Sequence, residues 1–120
     1  MKNILVTGSD GFIGSHLVEK LVLDGNNVTA FCMYNSQSSL GWLDTIDNEI
    51  LKSISIILGD IRDKECVNNA VKGKTHVLHL ASLIGIPYSY VAAQSYIETN
   101  ILGTLNILQA SRNVEVEHLV

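Results

Sequence analysis

The sequence predicts a doubly wound α/β domain on a parallel sheet. Three observations point that way. Runs of strand length alternate along the chain with segments of helical period. The strand-like runs are mainly apolar instead of strictly alternating, as strands covered on both faces are. A glycine closes the first run, and another stops the helix that follows it. Strand–helix alternation means βαβ units with right-handed crossovers, and such folds take ligands beyond the C-terminal ends of their strands. The residues just after each strand are therefore the ones to read for function.

The first strand is Asn3-Ile4-Leu5-Val6-Thr7, ended by Gly8. From Phe12 to Asp24, Ile13, Leu17, Val18, Leu21 and Val22 keep helical spacing, and Gly25 stops the helix. A second strand runs from Val28 to Met33. Residues 34–41 are polar and loop-like, and Trp42 to Ile50 reads as a short helical turn. Ile54 to Leu58 is a third strand, closed by Gly59-Asp60. Asp63 stands where it caps a helix reaching about Val71, and Glu65 adds negative charge to the first turn. Val77 to Leu80 is a fourth strand. A Gly/Pro/Ser loop then runs to about Val91. A long helix follows from Ala93 to Ser111, with Ile97, Ile101, Leu105 and Leu108 on one stripe. His118-Leu119-Val120 opens a fifth apolar run, in which the chain stops.

Composition narrows the function classes. One hundred and twenty residues, 47% hydrophobic and 17% charged, make one domain with a real core and exclude a disordered tail. The net charge of −4, with no Lys/Arg cluster, argues against nucleic acid as a partner. Cys32 and Cys66 are too few for a disulfide framework or a zinc site, so no metal is expected and a reducing cytoplasm is the simpler setting. The uncharged stretch between Lys74 and Glu98 approaches the length of a membrane span. However, Gly85-Ile86-Pro87 breaks it, and its histidines and serines suit hydrocarbon poorly. No membrane association is expected.

The first strand leads into Thr7-Gly8-Ser9-Asp10-Gly11-Phe12-Ile13-Gly14. Glycines at 8, 11 and 14 between a strand and a helix are what a dinucleotide site requires. Gly8 permits the tight turn, Gly11 lets backbone approach a pyrophosphate, and Gly14 lets the helix pack closely on the sheet. The helix dipole and free N–H groups then hold the phosphates without a basic residue. A glycine-rich turn with only a structural job is the plainer alternative. The ordered sequence of strand, turn, amphipathic helix and second strand favours nucleotide binding.

The spacing is G-x-x-G-x-x-G, and with Phe12-Ile13 inside it the loop resembles the extended short-chain dehydrogenase/reductase family that acts on nucleotide sugars. Three further stretches fit. Gly59-Asp60-Ile61-Arg62-Asp63 resembles the family's adenine-contacting segment. His79-Leu80-Ala81-Ser82 resembles its loop along the diphosphate and nicotinamide side. Thr99-Asn100-Ile101-Leu102-Gly103-Thr104 resembles the Asn-x-x-Gly-Thr run on its fourth helix. Tyr34-Asn35-Ser36, Gly41-Trp42-Leu43-Asp44 and Ile86-Pro87-Tyr88-Ser89-Tyr90 are similar to a branch of 4,6-dehydratases of nucleotide-linked N-acetylglucosamine, on the way to legionaminic-type sugars.

The resemblance implies a Rossmann-like sheet over residues 1–120, interrupted in its fifth strand. It implies a cofactor site of Gly8, Gly11, Phe12, Ile13, Gly14, Tyr34, Asn35, Ser36, Asp60, Ile61, Leu80, Ala81, Ser82 and Asn100. Each has a bland alternative. Asp60 either caps a turn or accepts from an exocyclic adenine amine. His79, inside an apolar strand, reads as a satisfied core histidine. Asn100 on a buried helix face is expected to bond loop backbone. Tyr88 and Tyr90 either pack or face a sugar, and Cys32 is a small core residue.

The cofactor follows from the end of the second strand. Acceptors of NAD place an acid about 20 residues past the glycines, for the ribose 2′-hydroxyl. Cys32 to Asn35 contains no acid, and no arginine lies nearby in sequence for a 2′-phosphate. Tyr34, Asn35 and Ser36 suit either form. NAD is expected in an acidic protein, with NADP the alternative.

The family's hydride chemistry depends on a Ser or Thr and on Tyr-x-x-x-Lys, where the lysine lowers the tyrosine pKa. Tyr34, Tyr88, Tyr90 and Tyr96 are followed four residues on by Ser38, Ala92, Gln94 and Asn100, so no residue here is assigned a catalytic role. The expectation is the dinucleotide-binding portion of a nucleotide-sugar epimerase or dehydratase that turns over nothing alone. The competing reading is a non-catalytic sensor or interaction module on the same site. Helix 93–111 lacks a polar face, which in the family fits a homodimer interface.

Overall fold

The computed structural model describes every residue from Met1 to Val120. Five parallel strands form one sheet in the order β3-β2-β1-β4-β5, with β1 at Asn3–Thr7, β2 at Asn27–Met33, β3 at Ser55–Gly59, β4 at His76–His79 and β5 at His118–Leu119. The register runs Asn3 against Asn27, Ile4 against His76, Thr29 against Ser55 and His76 against His118. The predicted doubly wound parallel sheet is therefore what forms.

Successive residues of β1 point to opposite faces, so each face has its own core. Leu5 joins Phe31, Val77, Val67, Val71 and Ile107 on the face covered by α3 (Lys64–Val71) and α6 (Thr104–Asn113). Ile4 and Val6 join Val28, Ala30, Cys32, Val18 and Leu43 on the face covered by α1 (Phe12–Leu23) and a 3₁₀ turn at Gly41–Thr45. Cys32 is a core residue, as expected. Its thiol is pushed up to about 12 by burial and by the neighbouring Asp10 and Asp44 charges, which leaves it protonated.

Local chemistry sets the element ends. Asp24 caps α1, and Gly25 follows at φ +88°, a left-handed turn that costs glycine nothing. Asp63 accepts from the N–H groups of Glu65 and Cys66 at 3.0 and 3.2 Å, the predicted cap of α3.

Three expectations are corrected. Trp42 to Ile50 is two pieces, because Ile46 is extended and Asp47 starts a new helix, α2 (Asn48–Ser53), by accepting from Glu49. The loop before Val91 contains a helical turn, α4 (Ile86–Ser89), with Pro87 in its first turn, where a missing N–H costs little. The long helix is α5 (Ala93–Ile97), a π-helical turn at Glu98–Gly103, then α6. It buries Gly103, Asn106, Ile107, Ala110 and Ser111, while Ile97, Ile101, Leu105 and Leu108 point outward. The small residues face inward because the fit is close: a Cβ on Gly103 would overlap Ile61. No helix is long and apolar enough to cross a membrane.

Candidate functional site

A cleft of about 530 Å³ opens where the C-terminal ends of β1, β2, β3 and β4 meet, the position the fold reserves for ligands. Its floor is the loop after β1. Gly8 has φ +67°, and a Cβ there would sit 2.8 Å from the Ala81 nitrogen and 2.9 Å from the Leu80 carbonyl carbon. Only glycine fits, so the β1 and β4 loops lie backbone to backbone. Gly11 donates to the Gly8 carbonyl at 3.0 Å and accepts from Ser15 at 2.9 Å, which opens α1. No side chain caps that helix, so the N–H groups of its first turn have no intrahelical partner. Gly14 packs on Gly8 so tightly that a side chain would strike the Gly8 carbonyl.

One hydroxyl ties this floor to β4. Thr7 Oγ1 accepts from the N–H groups of Leu80 at 3.0 Å and Ala81 at 3.1 Å, which uses both lone pairs. Its own hydrogen therefore goes to Nδ1 of His79, 2.7 Å away, and the remaining ring hydrogen sits on Nε2, facing Thr104 Oγ1 at 3.0 Å. Burial holds the His79 pKa below its usual 6.5, so the ring is neutral and structural, the role its place in an apolar strand implied.

The loop after β4 is pinned from the far side. Asn100 accepts from the Leu83 N–H at 2.9 Å and donates to the Leu83 carbonyl at 2.8 Å, the backbone clamp expected of it. The Tyr96 hydroxyl donates to the Gly85 carbonyl. The π-helical turn thus presents its asparagine to the loop that forms one wall of the cleft.

At the β3 end, Asp60 is already engaged. Arg62 gives it Nε–H at 3.1 and 3.0 Å, Nη2–H at 2.6 Å and its backbone N–H at 2.9 Å, while Nη1 reaches Glu98 at 3.4 Å. These bonds hold the Asp60 carboxyl below the usual range. The side chain of Ile61 is buried among α3 and α6.

Of the residues expected at the site, Gly8, Gly11, Asp60, Ile61, Leu80, Ala81 and Ser82 line the cleft. Phe12, Ile13 and Gly14 form the adjoining helix start. Tyr34 is exposed beside a smaller hollow, with Met33, Asp60 and Arg62. Asn35 spends its amide on its own loop, bonding Gln37 and Ser39, and Ser36 is exposed. Asn100 acts on the cleft through Leu83. Asp10, Arg62 and Thr99 also line the cleft, each inside a motif read from the sequence but without a role of its own there. Tyr88, left between packing and facing a sugar, lines it too. Met33 and Ser95 are lining residues that sequence spacing missed. It also found no arginine near the end of β2, whereas folding brings Arg62 into the hollow beside Met33 and Tyr34. The sequence signal for both charged residues was the motif around each, the glycine loop for Asp10 and the segment after the third strand for Arg62, which does not say that either reaches the end of β2.

Comparison with known proteins bears on this geometry. The family model described as GDP-mannose 4,6 dehydratase matches residues 5–120. A UDP-N-acetyl-alpha-D-glucosaminuronate decarboxylase of Bacillus cytotoxicus is 38% identical over 110 residues, 92% of this chain and 33% of the relative. A UDP-glucose 4-epimerase of Neisseria meningitidis is 33% identical over 122 residues, 100% of this chain and 36% of the relative. The chain thus spans about a third of the length of the curated relatives it matches. Among solved structures, the Thermus thermophilus UDP-glucose 4-epimerase complex with NAD superposes with TM-score 0.78 at 37% identity, over 98% of this chain and 36% of that one. Pen from Bacillus thuringiensis shares the fold, with TM-score 0.88 at 24% identity over 98% of this chain and 36% of that one.

Proposed function

Since the chain belongs to the GDP-mannose 4,6 dehydratase family, we propose that residues 1–120 are the NAD-binding unit of a nucleotide-sugar epimerase or dehydratase. The observation that carries this reading is the glycine floor. Side chains are sterically barred at Gly8 and Gly14, Gly11 leaves the cleft side bare, and the first turn of a twelve-residue helix has unpaired N–H donors. That cradle suits a pyrophosphate without any cation.

The first-turn N–H groups, including those of Phe12 and Ile13, hold the diphosphate. Asp60 and the Ile61 backbone border the adenine, Tyr34, Asn35 and Ser36 flank its ribose side, and Leu80-Ala81-Ser82 runs along the nicotinamide side. Thr7, His79 and Asn100 fix those loops in place. The bound cofactor supplies a hydride acceptor for the sugar. No residue of this stretch is assigned proton transfer.

Within the family we read a 4,6-dehydratase of nucleotide-linked N-acetylglucosamine. Support comes from Tyr34-Asn35-Ser36, Gly41-Trp42-Leu43-Asp44 and the Pro87-Tyr88-Ser89-Tyr90 loop, whose Tyr88 borders the cleft. A second copy packs on helix 93–111, whose Ile97, Ile101, Leu105 and Leu108 are exposed. The two free cysteines suit a cytoplasmic setting.

Titration calorimetry of the purified chain with NAD tests the reading. Binding is expected, and Gly11→Val should weaken it at least tenfold. An added Cβ there meets only the Gly8 carbonyl, at 3.3 Å, so the fold should tolerate a side chain that fills the cradle. A folded sample that gives no heat at millimolar NAD overturns the proposal.

A further inference from the structure

Three charged side chains line the cleft, Asp10, Asp60 and Arg62, and two of them are spent on each other. Arg62 directs Nε and Nη2 at Asp60 and Nη1 at Glu98, so it is bracketed by two carboxylates. Asp10 is different. Its carboxylate has a single protein hydrogen bond, a long one of 3.4 Å from the backbone N–H of Met33. Met33 is the last residue of β2. Although Asp10 belongs to the loop after β1, it therefore presents its charge at the C-terminal end of β2.

That position has a defined use in a dinucleotide fold. An acid there reads the ribose 2′-hydroxyl, and residues 32–36 (Cys-Met-Tyr-Asn-Ser) supply none. The Asp10 backbone is held for the task. Trp42 donates to its carbonyl at 2.9 Å, and Gly41, at φ +57°, lies so close that a side chain there would press on Asp10. Resting on the NAD reading above, we propose that Asp10 takes the place of the missing β2 acid. Its free carboxylate oxygen accepts from the adenosine ribose hydroxyls and repels a 2′-phosphate, so that Asp10 selects NAD over NADP. A 2′-phosphate would meet this carboxylate and no uncommitted cation, since the one arginine in the cleft already has two anionic partners.

Binding of NAD and of NADP to the purified chain, compared for wild type, Asp10→Asn and Asp10→Glu, tests the proposal. Circular dichroism and a thermal melt establish that each variant is folded. Wild type should prefer NAD by tenfold or more. Asp10→Asn should weaken NAD about tenfold, the loss expected for a hydrogen bond to a charged acceptor, while NADP is unchanged or improved, so that the preference collapses. Asp10→Glu should keep the preference, because it keeps the charge. An unchanged ratio of the two affinities in Asp10→Asn, or equal weakening of both cofactors, overturns the role of Asp10 and leaves the NAD site standing. Loss of preference in Asp10→Glu counts against it equally. A wild-type chain that binds neither cofactor overturns the NAD reading and this inference with it.

Discussion

The two walls of the cleft are built on opposite principles. On the β1–β2 side, the strands are buried from Ile4 to Thr7 and from Val28 to Cys32, and the loop above them is held by backbone packed on backbone at Gly8 and Gly14. On the β4 side, the segment from Leu80 to Leu108 leaves most of its large apolar side chains outside, with Ile107 the buried exception. Ile84 is 84% exposed and Tyr90 equally so. What holds that second wall is a set of polar pins: His79 between Thr7 and Thr104, Asn100 on Leu83, Tyr96 on Gly85. Apolar residues thus do two jobs in one small chain. In the first wall burial fixes the shape. In the second, hydrogen bonds fix the shape and the apolar surface stays free.

Substitutions in each wall sharpen or break that contrast. The largest effect is expected at Gly14→Ala. The new Cβ would strike the Gly8 carbonyl oxygen and lie 2.8 Å from its carbon and 3.0 Å from the Ser9 Cα, all backbone with nothing flexible to yield. A loss of about 3 kcal/mol or more in urea unfolding is expected, or no cooperative transition at all. A wild-type melt would show that the first wall has slack.

The same truncation at two leucines comes next. Leu5 is fully buried in β1, and Leu5→Ala should cost about 2–5 kcal/mol. Leu105 is 44% exposed on the outer stripe, and Leu105→Ala should cost no more than about 0.5 kcal/mol in the dissociated chain. Similar losses at both sites, measured by denaturant unfolding at low protein concentration, would erase the distinction between the walls.

A modest, pH-dependent effect concerns the pins. Because burial lowers the His79 pKa below 6.5, the unfolded chain takes up a proton that the folded chain refuses as pH falls. The contribution is therefore complete above about pH 6.5 and is lost progressively as pH falls toward the lowered folded value. His79→Gln should cost about 1 kcal/mol at pH 8 through its hydrogen bonds and flatten the decline between pH 7 and 5. An equally steep decline in the variant would assign the pH dependence elsewhere.

The same contrast explains what could be read from sequence. The first wall is contiguous: strand, three glycines and helix lie within residues 3–23, so spacing alone outlined it, as a side-chain cap did at Asp63. The placement of Asp10 and Arg62 is not contiguous. Each reaches the end of β2 from another loop, and a count along β2 cannot find a group that arrives from beside it. The stripe on the long helix was legible as a stripe, but its direction was not. Periodicity says which residues share a face, whereas the fit of Gly103 on Ile61 decides which face turns inward. The π-helical turn at Glu98–Gly103 likewise changes the phase partway along.

The close approach of Gly8 to Ala81 has a thermodynamic consequence. With Thr7 Oγ1 also bonded to two N–H groups of the β4 loop, the floor and the adjoining wall have no play between them. Folding has already removed the freedom that a ligand would otherwise have to remove on arrival. Whatever lies along both loops therefore meets a preorganised surface, and less of its contact energy goes into ordering the protein.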